Sequence, residues 1–348
     1  MWITRCAVRA AVMNLALAVC AMAQTIPAEV LRATEVLTPE QEAAVRASVA
    51  VEVQALVDAE DEQVGQLARD LSGPIRQSPS QFFLSAYASE VSNQLGAKAM
   101  ASGRTIVRLN AMIIAAELDR SATSLITAGL KDPRSGVRYR AGLAIDRLAP
   151  QLPAENQAQI LTALRSVVAS ETSGNVLTQL MLGLAALDTS EARQAILEAV
   201  DRRINVHANA PGPSVRPERQ ALEALHRNLI KQVGRNQAAP IGLLKDLARV
   251  AYRCMALGAK LLDDQRVAPT TEPEFWSQIQ TSDRILRWTV DRLAGGEAPS
   301  FPPDVRDAVE RQSTAEVQLI VGEWEDLLAR PPASLRSVDM EVAIPAAS

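Results

Sequence analysis

The sequence predicts an all-α protein, a superhelix of paired helices followed by a carboxyl-terminal helical bundle. Three observations carry that prediction. Aromatic residues make up only 3% of the chain, while Ala, Leu and Arg abound. Val and Ile recur at helical spacings instead of alternating as a half-buried strand requires. Two segments 39 residues apart repeat one apolar pattern. Once an amino-terminal leader is set aside, roughly 325 residues remain, more than one hydrophobic core usually serves, which favours two domains or an elongated stack.

The leader is expected over residues 1–23. Arg5 and Arg9 precede an apolar stretch from Ala10 to Cys20, and Ala21-Met22-Ala23 stands ahead of Gln24, as in a secretory signal peptide cleaved after Ala23. The stretch is shorter than the roughly 20 residues a bilayer requires, and no later segment reaches that length without a charge, so no transmembrane segment is expected. Leu17-Ala18-Val19-Cys20 resembles a bacterial lipobox that would anchor the chain through Cys20. Val19 stands where that peptidase prefers Gly, Ala or Ser, so cleavage is favoured over a lipid anchor. Loss of the two arginines moves the formal charge from −4 to about −6, which opposes nucleic-acid binding. Cys254 is then the one cysteine left, so no internal disulfide is expected.

Residues 24–77 read as an amino-terminal helical segment. Thr38-Pro39-Glu40-Gln41 supplies a capping box and a proline suited to the first helical position, and the helix should run toward Ala59. An acidic run, Glu60 to Glu62, precedes a second helix expected to end near Ser72-Gly73-Pro74. A third starts at Ser78-Pro79, with Phe83, Tyr87, Val91 and Leu95 on one stripe, until Gly103 breaks it. The next begins near Arg104 and should bury Ile106, Leu109, Ile113 and Ala116.

The repeat follows. Val137, Ala141, Ala144 and Leu148 are matched 39 residues on by Val176, Leu180, Gly183 and Leu187, each set stepping along one helical face. Leu125 and Leu164, also 39 apart, lie on the preceding helices. The repeated object is thus a helix pair, which buries its apolar face only by stacking on a neighbour.

Over Leu125 to Ala149 these residues resemble a HEAT repeat: the turn Leu130-Lys131-Asp132-Pro133 is followed by Val137-Arg138 and Ala141. The resemblance implies stacked helix pairs over 78–210, fading by about residue 234. It also implies that Asp132 caps the second helix and that Arg138 bonds a neighbouring turn aspartate. In the second unit Glu171 and Leu177 replace Asp132 and Arg138, so the signature weakens there.

A third pair is expected from Ile196, Val200 and Ile204, then Leu222, Leu225, Leu229 and Val233. The link between them, through Pro211, Gly212, Pro213 and Pro217, is too rich in proline for a helix and marks a boundary. Beyond it, residues 211–330 read as a helical bundle of three longer helices. Ile241 to Leu262 mark the first and Phe275 to Leu293 the second; Val305, Val309, Ile320, Trp324 and Leu328 mark the third. Residues 331–348 read as a flexible tail.

Catalytic residues are hard to assemble from this chain. His207 and His226 are its only histidines. Glu223-x-x-His226 places a carboxylate and an imidazole on one helical face, but a di-iron bundle site needs that motif twice. Cys254 lies among Tyr252, Met255 and Leu257, where a buried neutral thiol is expected. No Ser-x-x-Lys, Gly-x-Ser-x-Gly or phosphate loop occurs. The reading is therefore an exported non-catalytic protein-binding or scaffold protein of the bacterial cell envelope, periplasmic or secreted, with no cofactor and an unidentified protein partner. The alternatives are a structural, oligomer-forming assembly subunit and an enzyme with a dispersed carboxylate site. Candidate partner-binding residues are Arg104, Arg108, Arg140 and Arg147, with Trp276 and Trp288, which fall off the main stripe of their helix.

Overall fold

A computed structural model describes residues 26–210, 214–296, 299–335 and 340–342. The leader, the cleavage site, Cys20, residues 211–213 of the proline-rich link and most of the expected tail lie outside the described residues. Every regular element among the described residues is helical, and no helix is long and apolar enough to cross a membrane. The chain divides into two compact units, Met1–Ile160 and Leu161–Ser348.

In the first unit a single turn, α1 (Ala28–Leu31), leads to α2 (Pro39–Asp58). The expected capping box opens α2: Thr38 Oγ1 accepts from the Gln41 amide at 3.3 Å, and the Gln41 side chain accepts from Thr38 N at 2.9 Å. Helix α3 (Asp61–Gln77) runs past its expected end with Pro74 inside. Gly73 explains this, because with no Cβ it removes part of the clash that normally bars the residue before proline from helix. Helix α4 (Gln81–Gln94) is capped by Ser80, two residues later than expected, and continues as a π-turn over Leu95–Ala99. Its predicted stripe of Phe83, Tyr87, Val91 and Leu95 is wholly buried.

Helix α5 (Thr105–Ala115) buries Val107, Asn110, Ala111 and Ile114 in place of the expected stripe. Ile113 is 39% exposed, and Ile106 and Leu109 are only partly covered. The helix is apolar almost all round, so its periodicity did not select a face. Helices α6 (Thr123–Leu130) and α7 (Ser135–Leu148) close a third hairpin, with Leu125, Val137, Ala141, Ala144 and Leu148 buried. The hairpins stack in two layers: α2 packs on α4 and α4 on α6, while α3 packs on α5 and α5 on α7.

Helix α8 (Ala154–Ser170) contains the division between the units. In the second unit, α9 (Gly174–Leu187), α11 (Arg216–Gly234) and α13 (Glu272–Ala294) form one layer. Helices α10 (Ser190–Asn209), α12 (Ile241–Asp263) and α15 (Thr314–Ala329) form the other. Val176, Leu180, Gly183 and Leu187 are buried on α9. The expected third bundle helix is two, α14 (Arg306–Glu310) and α15, parted at Gln312, whose φ is 52°. Ile241 is 67% exposed because it opens α12 ahead of that helix's buried face. The first tail residues fold back, with Leu335 N donating to Leu328 O at 2.9 Å.

Gly129 lets α5, α6 and α7 approach closely. A Cβ there would lie 2.2 Å from Met112 Sδ and 3.1 Å from Ala141 Cβ. Gly129→Ala should therefore destabilise the protein by about 1–3 kcal/mol of overpacking, offset in part by about 1 kcal/mol of helix propensity. Urea unfolding checks this, and adding Met112→Ala should recover part of the loss. A Gly129→Ala protein as stable as the parent would contradict the packing described.

Candidate functional site

The arginines near the hairpin turns of the first unit divide sharply by what they touch. Arg104 donates to Val57 O at 3.0 Å and pairs with Asp61, so it holds the α2–α3 turn. Arg134 donates to Gly103 O at 2.6 Å, holding the turn before α5. Arg108 donates through Nε to Ser102 O at 2.7 Å and pairs with Asp132, whose side chain is 1% exposed. Each reaches out of its own hairpin to a neighbour's turn, except that Arg108 also ties Ser102 in its own. A guanidinium suits this work because its several donors serve carbonyl and carboxylate together.

Asp132 differs from expectation as a cap. Its Oδ1 accepts from Arg134 N at 2.8 Å, forming an Asx turn through Pro133, so that Arg134 and not Asp132 is the cap residue of α7. Its carboxylate is held by Arg108 from the preceding hairpin, while Arg138 donates to the Asp132 and Pro133 carbonyls, both at 2.9 Å.

Of the predicted binding residues, Arg104 and Arg108 are thus committed to the fold. Trp276 is also interior, 5% exposed, with its indole N–H donated to Glu272 at 3.1 Å. It leaves the main stripe but not the core, because α13 is covered by both α11 and α12. Trp288 is half-buried and meets His226 edge-on at 4.9 Å. Arg140 and Arg147 remain. They lie two turns apart on one face of α7, are exposed, and have no ion-pair partner among the described residues.

The second unit contains polar groups that sequence spacing did not bring together. At the start of α11, Glu218 is 2% exposed and pairs with Arg203 of α10, and its Oε1 lies 3.2 Å from His207 Nε2. Burial raises this carboxyl's pKa, but the His207 bond and the Arg203 charge outweigh it and hold it below the ordinary range. Cys254 and Gln278 line a small cavity with Glu218 and His207. Burial pushes the Cys254 thiol well up, aided by the charges of Glu218 and Asp201, which makes it a poor nucleophile. Nearby, Asp201 pairs with Arg249 and Arg253, joining α10 to α12.

Two further clusters brace α13. Asp283 accepts from the Trp324 indole at 2.8 Å and from Arg287 at 2.8 Å, and Arg287 caps the Pro302 and Pro303 carbonyls. Glu223 accepts from Thr281 at 3.0 Å and pairs with Arg219 and Arg284. The carboxylate of the Glu223-x-x-His226 pair is thus engaged in linking α11 to α13. Among the described residues no three His, Cys, Asp or Glu side chains converge on a metal-sized point.

No family model matches the chain, and no curated protein does. Among solved structures it is similar to an engineered protein at 19% identity, over 69% of this chain and 97% of that one, with a TM-score of 0.42.

His226 gives this unit a pH dependence. Burial, helped by the Arg284 charge and opposed by Glu223, pushes its imidazole down to about 4. The unfolded chain therefore takes the proton first: the stability is complete above about pH 6.5 and declines as pH falls toward 4, by at most about 1.4 kcal/mol per unit. Urea unfolding at pH 7 and pH 5 should show a smaller acid loss for His226→Leu than for the parent. Equal losses would contradict the assignment.

Proposed function

We propose that this chain is an exported, non-catalytic binding scaffold of the bacterial cell envelope that takes an acidic protein partner on the α7 face carrying Arg140 and Arg147. The observation supporting this is the contrast among its arginines. Arg104, Arg108 and Arg134 hold turns, whereas Arg140 and Arg147 project from the same stack with no internal task among the described residues. Stacked hairpins offer a continuous surface for such contacts, in line with the HEAT-like pattern of residues 125–149. An oligomer assembled through the tryptophans has less support, since Trp276 and Trp324 are interior.

The test is affinity capture from envelope extract. The bait is prepared in an exporting host, and its intact mass reports whether cleavage follows Ala23. The parent should recover one reproducible acidic protein at low salt and lose it at high salt, where exposed charges are screened. Arg140→Glu with Arg147→Glu should cut recovery about tenfold or more, the equivalent of about 1.4 kcal/mol, while thermal unfolding stays nearly unchanged. Equal recovery by the variant, or recovery of the bait alone, would overturn the proposal.

A further inference from the structure

The cavity beside Glu218 poses a hydrogen-bonding question. Glu218 Oε1 is occupied by Arg203 and His207, but Glu218 Oε2 is buried and no described residue donates to it. The same is true of Gln278 Oε1, whose amide nitrogen is turned to Ser282 Oγ at 3.2 Å. Both residues are 2% exposed, and both line one cavity at the meeting of α10, α11, α12 and α13. Two buried acceptors left without donors carry a desolvation penalty that native interiors avoid.

The remaining lining defines what can satisfy them. Ile204, Leu257 and Phe275 close the cavity with apolar surface, and the space is of the order of one water molecule. Arg203 already balances the Glu218 charge. A metal cation would leave the site net positive, with two side-chain oxygens where such ions take about six. The occupant must therefore be neutral, hold one heavy atom and supply two hydrogens.

We infer that this cavity is a binding site for one internal water molecule, which donates one hydrogen to Glu218 Oε2 and the other to Gln278 Oε1. The water links the first turn of α11 to the second turn of α13, so the core of the second unit is completed by solvent at this point. Its partners are 60 residues apart in the chain.

High-resolution crystallography of the full chain tests this directly. The parent should show a peak roughly 2.5–3.0 Å from both oxygens, and Gln278→Leu, which removes one acceptor, should show none. A dry cavity, or a Gln278 amide bonded directly to Glu218, would overturn the inference. So would an anomalous signal at the peak after a rubidium soak, which would make the occupant a cation. Should Gln278→Leu fail to fold, the parent density and the rubidium soak still decide.

Discussion

When helical hairpins stack, the carbonyls and carboxylates at their turns lose water on one side and must find donors within the protein. In the first unit arginines supply those donors. Arg104 serves Val57 O and Asp61, Arg134 serves Gly103 O, and Arg108 serves Asp132. The apolar contacts of Val107, Leu125 and Val137 supply most of the driving force, but they are nondirectional and set no register between hairpins. The guanidinium links are directional. A buried partner such as Asp132, once Arg108 is lost, is left with the more distant Arg134 guanidinium at 3.8 Å, so register and stability are coupled at these turns.

The second unit solves the same problem differently. Its polar links join helix to helix along their length, within one layer for Arg253 with Asp201 and across the two layers for Glu218 with Arg203 and Asp283 with Trp324. Buried Glu218 is met by an arginine from another helix, whereas buried Asp283 is met by Arg287 one turn along its own helix. Such networks are costly when half satisfied, which is why the two remaining acceptors beside Glu218 matter. Function, on this view, falls to the polar groups that the fold does not consume.

Local chemistry was legible in the sequence. The Thr38 box, the Phe83 to Leu95 stripe and both quartets of the 39-residue echo lie where their spacing placed them. What failed was chemistry that depends on neighbours. Helix α5 has apolar residues on nearly every side, so only its packing partners choose a face. Pro74 reads as a stop until Gly73 is weighed with it. Local spacing does not say which arginine meets the Asp132 carboxylate, and the stacking of hairpins brings Arg108 to it. The Glu218 cluster gathers residues 203, 207, 218, 254 and 278 from four helices, and no local spacing announces it.

The claim that arginines pin one hairpin to the next is tested most directly by a double-mutant cycle on Arg108→Ala and Asp132→Ala, read by urea unfolding. A direct link predicts that the pair is coupled by about 1–3 kcal/mol, the double variant losing far less than the two single losses combined. Losses that add within about 0.5 kcal/mol would contradict it, for the two residues would then stabilise the stack independently.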